Sequence, residues 1–184
     1  MVDTAGPEGK DGKDGQNARY QQAAAAYGGA IERLARAYES DPEKRRDLVQ
    51  DIHVALWQSL AGFNGRCSIR TWVYRVAHNV VTSRILRRRG KSPSLVSLDA
   101  LASMPDGQDG ERAADRRLAL ERLLALVQTL EPLDRRVILL YLEDVDAASI
   151  GEITGLSAAH VATKVHRIKQ ILSRRFHQGA NHGA

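Results

Sequence analysis

Apolar side chains recur at intervals of three and four residues through most of this chain, which is the spacing of one face of an α-helix. A first stretch with this spacing covers residues 19–40. Asp41 and Pro42 predict the start of a second helix, because aspartate caps helix N-termini and proline is tolerated in the first turn. The second helix would end near Ala61, and a third would cover residues 69–88.

Two interruptions divide this pattern. Residues 62–68 contain two glycines and separate the second helix from the third. Residues 90–115 contain two prolines, three glycines and five acidic residues without a sustained period, which is typical of a linker. Helical spacing then returns at Leu118. A helix over residues 133–143 and two short helices around Gly155 would follow, the last of them ending near residue 177.

The pattern therefore predicts an all-α fold, with two small helical domains joined by a flexible linker. We expect a domain of three to four helices over residues 19–91, a linker over residues 92–114 and a second helical domain over residues 115–178. Residues 1–18 are rich in Gly, Asp and Lys and offer little to bury, so we expect a disordered tail there. We also expect a short C-terminal tail over residues 179–184.

Composition narrows the class of protein. Aromatic residues make up only 5% of the 184 residues, which argues against a large β core. The net charge of +5 suits a polyanionic partner, although many basic proteins share it. Cys67 is the single cysteine, so neither an intrachain disulfide nor a CxxC metal site is possible. No apolar run is long enough for a signal peptide or a membrane span, so we expect a cytoplasmic protein without membrane insertion.

Residues 147–161 have the features of a helix-turn-helix. Gly151 and Gly155 supply a small residue where two helices cross and a residue that tolerates a positive φ at the turn. Ser157 is a good cap for the second helix, which contains no acidic residue as far as His177. This helix would bind DNA. The alternative is an ordinary amphipathic helix with a solvated basic face.

A strongly basic block with interleaved aromatic residues lies between Glu43 and Lys91. It contains eleven basic and three acidic residues, a net charge of +8. Rings among cations suit single-stranded nucleic acid, since bases stack on the rings while the cations follow the phosphates. For Trp72 core packing is the favoured alternative, because it lies on an apolar stripe. For Phe63, in the glycine-bracketed loop, core packing and a functional role stay equally open.

These segments resemble a known family. Residues 47–57 (DLVQDIHVALW) and residues 63–79 (FNGRCSIRTWVYRVAHN) resemble the second conserved region of the ECF (extracytoplasmic function) sigma factors. Residues 130–143 (LEPLDRRVILLYLE), with the helix-turn-helix, resemble the fourth conserved region. The resemblance covers about residues 19–90 and 115–177. It implies a bacterial factor that binds core RNA polymerase, recognises promoter elements and starts transcription.

The resemblance also implies a role for individual residues. Core polymerase would be bound by the second helix, through Asp47, Leu48, Gln50, Asp51 and Leu56. A base flipped from the −10 element, and the backbone of the opening strand, would be held by Phe63, Asn64, Arg70, Arg75, His78, Asn79 and Thr82. The −35 element would be read by His160, Thr163, Lys164 and Arg167. An anti-sigma factor that covers these surfaces is a further expected partner.

The sequence departs from the family pattern at three positions. Members often have alanine at the position of Gly151 and leucine at that of Thr154, and a basic residue where Ala162 stands. A glycine inside a helix costs about 1 kcal/mol, so the helix-turn-helix would depend on its neighbours. The exchange at Ala162 removes a possible −35 contact.

Two other classes of protein explain less of the sequence. A stand-alone helix-turn-helix regulator explains residues 130–177 but leaves the basic block and the aromatic loop without a purpose. An enzyme is disfavoured because the chain has no P-loop, no HExxH and no Ser-His-Asp order. His160 and His166 are too far apart to ligate a metal from adjacent turns. We therefore expect no catalytic residue, no metal site and no cofactor.

Overall fold

The computed structural model describes residues 8–89 and 110–180, with side chains over residues 14–87 and 116–178. All regular elements in these ranges are α-helices, which confirms the predicted all-α fold. The seven helices are α1 (Glu8–Tyr38), α2 (Pro42–Leu60), α3 (Ile69–Arg89), α4 (Gly110–Gln128), α5 (Pro132–Leu142), α6 (Ala147–Thr154) and α7 (Ala158–Ala180). None of these helices is both long and apolar enough to cross a membrane.

The described residues form two compact units. The N-terminal unit comprises residues 8–35 and 43–89, and the C-terminal unit comprises residues 36–42 and 110–180. The last turn of α1 and the turn after it thus belong with the C-terminal helices. The exact domain limits inferred from the sequence stay a prediction.

The core of the N-terminal unit lies between α1, α2 and α3. One stripe of α2 is fully buried, since its apolar residues recur every four positions and so share one face. The buried residues of this unit include Ile31 and Leu34 on α1, Leu48, Ile52, Leu56 and Leu60 on α2, and Val73, Tyr74, Ala77 and Val81 on α3.

The structure corrects the expectation of a disordered tail over residues 1–18. Residues 8–18 are helical and continue α1 toward the N-terminus, while residues 1–7 lie outside the described range. The physical reason is a contact with the end of α2. Gln16 Nε2 donates to the carbonyl oxygen of Trp57 at 2.7 Å, and Trp57 Nε1 donates to Asn17 Oδ1 at 2.8 Å.

The expected linker is also shorter than the sequence indicated. Residues 110–114 of the predicted linker belong to α4, and residues 90–109 lie outside the described range. Alanine and arginine at positions 112–114 favour helix, and they outweigh the single glycine at the start of α4.

In the C-terminal unit, α4, α5 and α6 each pack against α7. α6 and α7 form the predicted helix-turn-helix. Gly155 ends α6 with a φ of 81°, the left-handed conformation expected there, and its amide donates to the carbonyl oxygen of Gly151 at 2.8 Å. Arg136 on α5 donates to the carbonyl oxygen of Ile153 at 2.8 Å, which fixes the end of α6 against α5.

Candidate polymerase and nucleic-acid interfaces

An open groove of about 780 Å³ lies between α2 and α3. Its α2 side carries the polar side chains of Gln50, Asp51 and Gln58, and its α3 side carries Asn79 and Arg84. The apolar part of its lining consists of Val54 and Ala55 on α2 and Val76 and Val80 on α3, so the groove is lined by polar and apolar side chains together. We call it the α2–α3 groove.

Arg84 connects the two sides of the α2–α3 groove. Its guanidinium donates to Asp51 Oδ2 at 2.8 Å and to the carbonyl oxygen of Lys44 at 3.2 Å, and it lies 3.9 Å from Asp47 Oδ2. The arginine side chain is 19% exposed, whereas those of Asp47 and Asp51 are 69% and 56% exposed. Exposed pairs of this kind contribute little to stability, so the main effect is to orient the carboxylates.

The structure separates the predicted polymerase contacts into two sets. Asp47, Gln50 and Asp51 are exposed and can meet a partner. Leu48 and Leu56 are only 2% and 0% exposed, so the prediction that they contact polymerase is wrong. They lie on the stripe that packs against the other two helices of the N-terminal unit, where a partner cannot reach them.

Phe63, in the loop before α3, packs on Trp72 of α3. The two rings meet edge to face, with centroids 5.3 Å apart at an interplanar angle of 69°, and Phe63 stays half-buried. Trp72 Nε1 donates to Ser59 Oγ at 3.0 Å. Since Ser59 also lines the α2–α3 groove, the aromatic pair lies at one end of that groove.

The loop itself is shaped by one of its two glycines. Gly65 has a φ of 75°, which favours glycine, whereas Gly62 has no such conformation. Asn64 is exposed between them, and its Oδ1 accepts from the amide of Arg66 at 3.3 Å. The loop therefore presents Asn64 to solvent beside the ring of Phe63.

Ser68 caps α3, which sequence reasoning missed. The amide of Thr71 donates to Ser68 Oγ at 3.0 Å, and the amide of Trp72 donates to the Ser68 carbonyl oxygen at 3.0 Å. A serine directly before a helical period was the available signal. The cap fixes the first turn of α3, and with it Arg70, whose guanidinium lies 5.9 Å from the centre of the Tyr74 ring.

The remaining predicted −10 residues differ in accessibility. Asn79 and Thr82 are exposed, and Arg75 is half-buried. His78 is only 1% exposed, so the prediction that it holds the DNA backbone is wrong. Like Ala77 and Val81, it is buried in the core of the N-terminal unit, and its carbonyl oxygen accepts from Thr82 Oγ1 at 2.8 Å.

Four residues of α7 were expected to read DNA, and three of them are exposed: His160, Thr163 and Arg167. The amide of His160 donates to Ser157 Oγ at 3.3 Å, which confirms Ser157 as a cap. Thr163 Oγ1 donates to the carbonyl oxygen of Ala159 at 3.0 Å. The fourth residue, Lys164, is half-buried.

Lys164 and Arg167 share one acidic partner. Lys164 Nζ lies 2.5 Å from Asp134 Oδ1, and Arg167 donates through one terminal nitrogen to Asp134 Oδ2 at 2.6 Å. Asp134 lies in the first turn of α5 and is 8% exposed. Sequence reasoning missed this residue because 30 positions separate it from Lys164 and no local pattern connects α5 with α7.

Comparison with known proteins agrees with this geometry. Two family models match the chain, Sigma-70 region 2 over residues 24–91 and Sigma-70 region 4 over residues 120–172. The first contains the α2–α3 groove and the aromatic loop, and the second contains Asp134 and the helix-turn-helix. Both match in the order in which the two conserved regions were identified from the sequence.

Individual relatives agree over most of their length. The RNA polymerase sigma factor YlaC of Bacillus subtilis is 28% identical over 133 residues, which is 72% of this chain and 77% of YlaC. The ECF RNA polymerase sigma factor SigW of the same organism is 24% identical over 161 residues, 81% of this chain and 84% of SigW.

A solved structure of the sigma factor RpoE from Bartonella quintana, in complex with the anti-sigma factor NepR, is similar in fold. The TM-score is 0.67 at 18% identity, and the match covers 84% of this chain and 94% of RpoE. Together with the two family models, these relatives establish that the chain belongs to the ECF sigma factors, which are transcription-initiation factors of the sigma-70 family and not enzymes.

Proposed function

We propose how this sigma factor divides its work among three surfaces. The exposed polar face of α2 binds core RNA polymerase. The loop at Phe63 and Asn64, together with Asn79, captures a base of the −10 element. The exposed face of α7 reads the −35 element. The observation that carries the proposal is the chemistry of α7, which exposes polar and basic side chains and has no acidic residue between Ala158 and Ala180.

The polymerase surface consists of Asp47, Gln50 and Asp51. Gln50 gives the cleanest test, because Arg84 pairs with both acidic residues and their substitution would also disturb the packing of α2 on α3. Replacing Gln50 with Arg should weaken binding of the factor to core polymerase about tenfold or more. Helical content should stay unchanged, because Gln50 is exposed.

The measurement is a titration of fluorescent core polymerase with the full chain. Asp51→Lys should weaken binding as well, but its melting temperature must be reported beside the affinity. Gln21→Arg on α1 is a matched exposed control that should bind as the unchanged chain does. Unchanged affinity of the Gln50 variant would remove α2 from the polymerase surface.

The −10 surface combines a ring, an amide and cations. A base out of its stack can lie against the ring of Phe63, and such stacking is worth about 1–3 kcal/mol. Asn79 adds hydrogen-bonding capacity at the α2–α3 groove, which favours particular base edges. Arg70 and Arg75, half-buried on α3, follow the phosphates of the opening strand.

The decisive experiment is run-off transcription with core polymerase on a library of genomic promoters. We expect transcripts whose start sites share −10 and −35 elements at one fixed spacing. A stand-alone regulator, the alternative function, would instead bind DNA without polymerase and give no polymerase-dependent starts. If the full chain and active core polymerase together made no transcripts, the proposal would be contradicted.

We also propose an anti-sigma partner and action in the cytoplasm, where core polymerase and the chromosome are found. RpoE of Bartonella quintana was solved in complex with the anti-sigma factor NepR, which supports a partner of this kind. Its expected effect is to cover the exposed face of α2. A partner captured with the full chain should therefore compete with core polymerase. Capture without competition would contradict this assignment.

A further inference from the structure

Asp134 is a buried carboxylate of the C-terminal unit, and two cations of α7 share it. Each carboxylate oxygen has one partner: Lys164 at 2.5 Å and Arg167 at 2.6 Å. Lys164 and Arg167 are three positions apart, so they lie on the same side of α7. The arrangement joins the start of α5 to the middle of α7.

The two cations differ in how much of each side chain is exposed to another partner. The Lys164 side chain is 23% exposed, and its ammonium group is held at the shortest of these contacts. The Arg167 side chain is 57% exposed, and only one of its terminal nitrogens donates to Asp134. A guanidinium carries five N–H donors in a rigid plane. Arg167 can therefore bind Asp134 and a DNA group at the same time.

Because Asp134 is buried, its carboxylate needs its two cationic partners. A buried charge is tolerated when it is paired and hydrogen-bonded, and Asp134 meets that condition only through α7. A long arginine side chain on an exposed helix samples many rotamers, and ordering it on binding DNA costs free energy. The pair with Asp134 orders Arg167 before DNA arrives.

We infer that Asp134 is a positioning residue that determines −35 specificity, by holding Arg167 in one orientation and by withdrawing Lys164 from base contact. The inference rests on the proposed function of α7 as the −35 reader. It changes the expected role of Lys164, which supports the arrangement without reading a base.

A different account would make Asp134 a purely electrostatic brake. One carboxylate near two cations lowers the positive potential that DNA meets, whatever the DNA sequence. Removing the charge would then strengthen binding to every sequence equally. The positioning account instead predicts that discrimination between sequences falls while general affinity rises, so the ratio of two affinities separates them.

The test uses the full chain bound to core polymerase and two duplex promoters that differ only in the −35 element, one cognate and one scrambled. Asp134→Asn keeps the shape of the side chain and removes its charge. We expect about tenfold loss in the cognate-to-scrambled affinity ratio, with scrambled DNA bound as tightly as before or more tightly. The salt slope for scrambled DNA should steepen by up to about one, as for one further phosphate contact.

Asp144→Asn is the matched control, because it changes the net charge by the same amount at an exposed turn of the same unit. Asparagine also tolerates the positive φ of 54° found there. This variant should keep the wild-type affinity ratio. A ratio that is also unchanged in the Asp134 variant would overturn the inference.

Two further variants keep the test decisive if Asp134→Asn melts at a markedly lower temperature. Arg167→Lys preserves the charge but not the fork of donors, and Lys164→Met preserves the stem but not the charge. We expect the first to lose about tenfold in the affinity ratio and the second to stay within about twofold of wild type. Equal losses in both variants would overturn the inference.

Failure of the proposed function of α7 and failure of the inferred role of Asp134 give different results. If the unchanged factor, with polymerase, does not distinguish the two promoters, α7 is not the −35 reader and the proposed function fails. If it does distinguish them, and the Asp134 and Arg167 variants distinguish them equally well, only the positioning role of Asp134 fails.

Discussion

A nearby backbone atom leaves no room for a side chain at Gly151. A Cβ added at this position would lie 2.6 Å from the carbonyl oxygen of Leu156, in the turn between α6 and α7. The turn therefore approaches α6 too closely for a side chain at this position. The close approach explains a glycine in the middle of a helix, where it is otherwise unfavourable.

We therefore expect Gly151→Ala to destabilise the protein, although alanine normally stabilises a helix. The new methyl group forces a backbone shift, and overpacking of this kind costs about 1–3 kcal/mol. Urea unfolding, followed by helical ellipticity, would measure the loss. Hydrogen exchange should be faster in α6 and at the start of α7 and unchanged in the N-terminal unit.

The matched control for this prediction is Gly28→Ala in the middle of α1, where an added Cβ meets nothing within 4 Å. There the ordinary rule applies, and we expect alanine to stabilise the protein by up to about 1 kcal/mol. If Gly151→Ala were as stable as the Gly28 variant, the turn would be loose enough to move and the close approach would not explain the glycine.

Among the individual residues, those with a local signal were predictable. A glycine after a short helix predicted the positive φ of Gly155, and a serine before an apolar period predicted the cap at Ser157. Asp134 had no such signal, because its partners are 30 and 33 positions away along the chain. Tertiary contacts of this kind follow from how helices pack, which the spacing of residues does not specify.

Asp146 makes the stability of α6 depend on pH. Its carboxylate accepts from the amides of Ala148 at 3.0 Å and Ser149 at 2.9 Å, and from the Ser149 hydroxyl at 2.7 Å. The hydrogen bonds from Ser149 hold the pKa of Asp146 below its ordinary value of 3.8. The stabilisation is therefore complete above pH 3.8 and is lost as the pH falls through the lowered folded-state pKa.

We expect Asp146→Ala to destabilise α6 by about 1 kcal/mol at pH 7, as removal of a helix cap usually does. The difference from wild type should shrink as the pH falls below about 4, because protonation removes the negative charge and so weakens the same acceptor in the wild-type protein. Asp146→Asn also caps a helix but does not titrate, so it should differ little from wild type at pH 7. Urea unfolding at pH 7, 5 and 3 would measure all three proteins, and a pH-independent difference would contradict the cap assignment.

The first turns of α1 contact α2 through Trp57, so they are expected to contribute to stability. The indole of Trp57 donates a hydrogen bond to Asn17, and its backbone carbonyl accepts one from Gln16. Deleting residues 1–18 should destabilise the N-terminal unit by about 1–3 kcal/mol, because two hydrogen bonds are lost and each usually contributes about 0.5–1.5 kcal/mol. In a Trp72→Phe background, where Trp57 is the single tryptophan, its fluorescence should shift to the red.

Gln16→Ala with Asn17→Ala is the smaller version of this deletion and should give most of the same shift. Thermal unfolding and emission spectra are the two measurements. A deletion that leaves both unchanged would mean that these turns do not pack on α2 in solution.

The helices themselves were largely predictable because their residues carry a strong 3.6-residue period. α2, α3 and α5 begin and end within about one residue of the limits inferred from the sequence. The start of α1 was missed, because Gly9, Gly12 and Gly15 disfavour helix by their own propensity. Part of what outweighs that propensity is the contact with Trp57, which no local pattern reveals.

The elements that carry the candidate site were predictable from the sequence, whereas the roles of their residues stay predictions. The loop at Phe63 and the helix-turn-helix were located from their residues, and the α2–α3 groove was not foreseen. Leu48, Leu56 and His78 are buried, however, and were wrongly assigned to partner contacts. A family motif contains core and surface positions together, and a resemblance alone does not separate them.

At the scale of the whole molecule, the aromatic loop is the surface that we propose for promoter opening. Phe63 has two possible roles, since its ring is half-buried against Trp72 and still offers a surface for a base. Stacking worth about 1–3 kcal/mol is comparable to the few kcal/mol needed to flip a base out of the duplex. Losing it should therefore slow strand opening more than it weakens the fold.

We expect Phe63→Ala to slow open-complex formation on duplex promoters by roughly 5- to 150-fold, which is the rate equivalent of that stacking energy. On templates premelted across the −10 element the effect should be much smaller, because the opening step is already complete. Phe63→Leu separates the two roles, since leucine keeps an apolar contact with Trp72 but offers no aromatic face. It should restore the melting temperature of the protein without restoring promoter opening. If Phe63→Leu opens duplex promoters at the wild-type rate, the ring serves to cover Trp72, and base capture must be assigned to Asn64 and Asn79 instead.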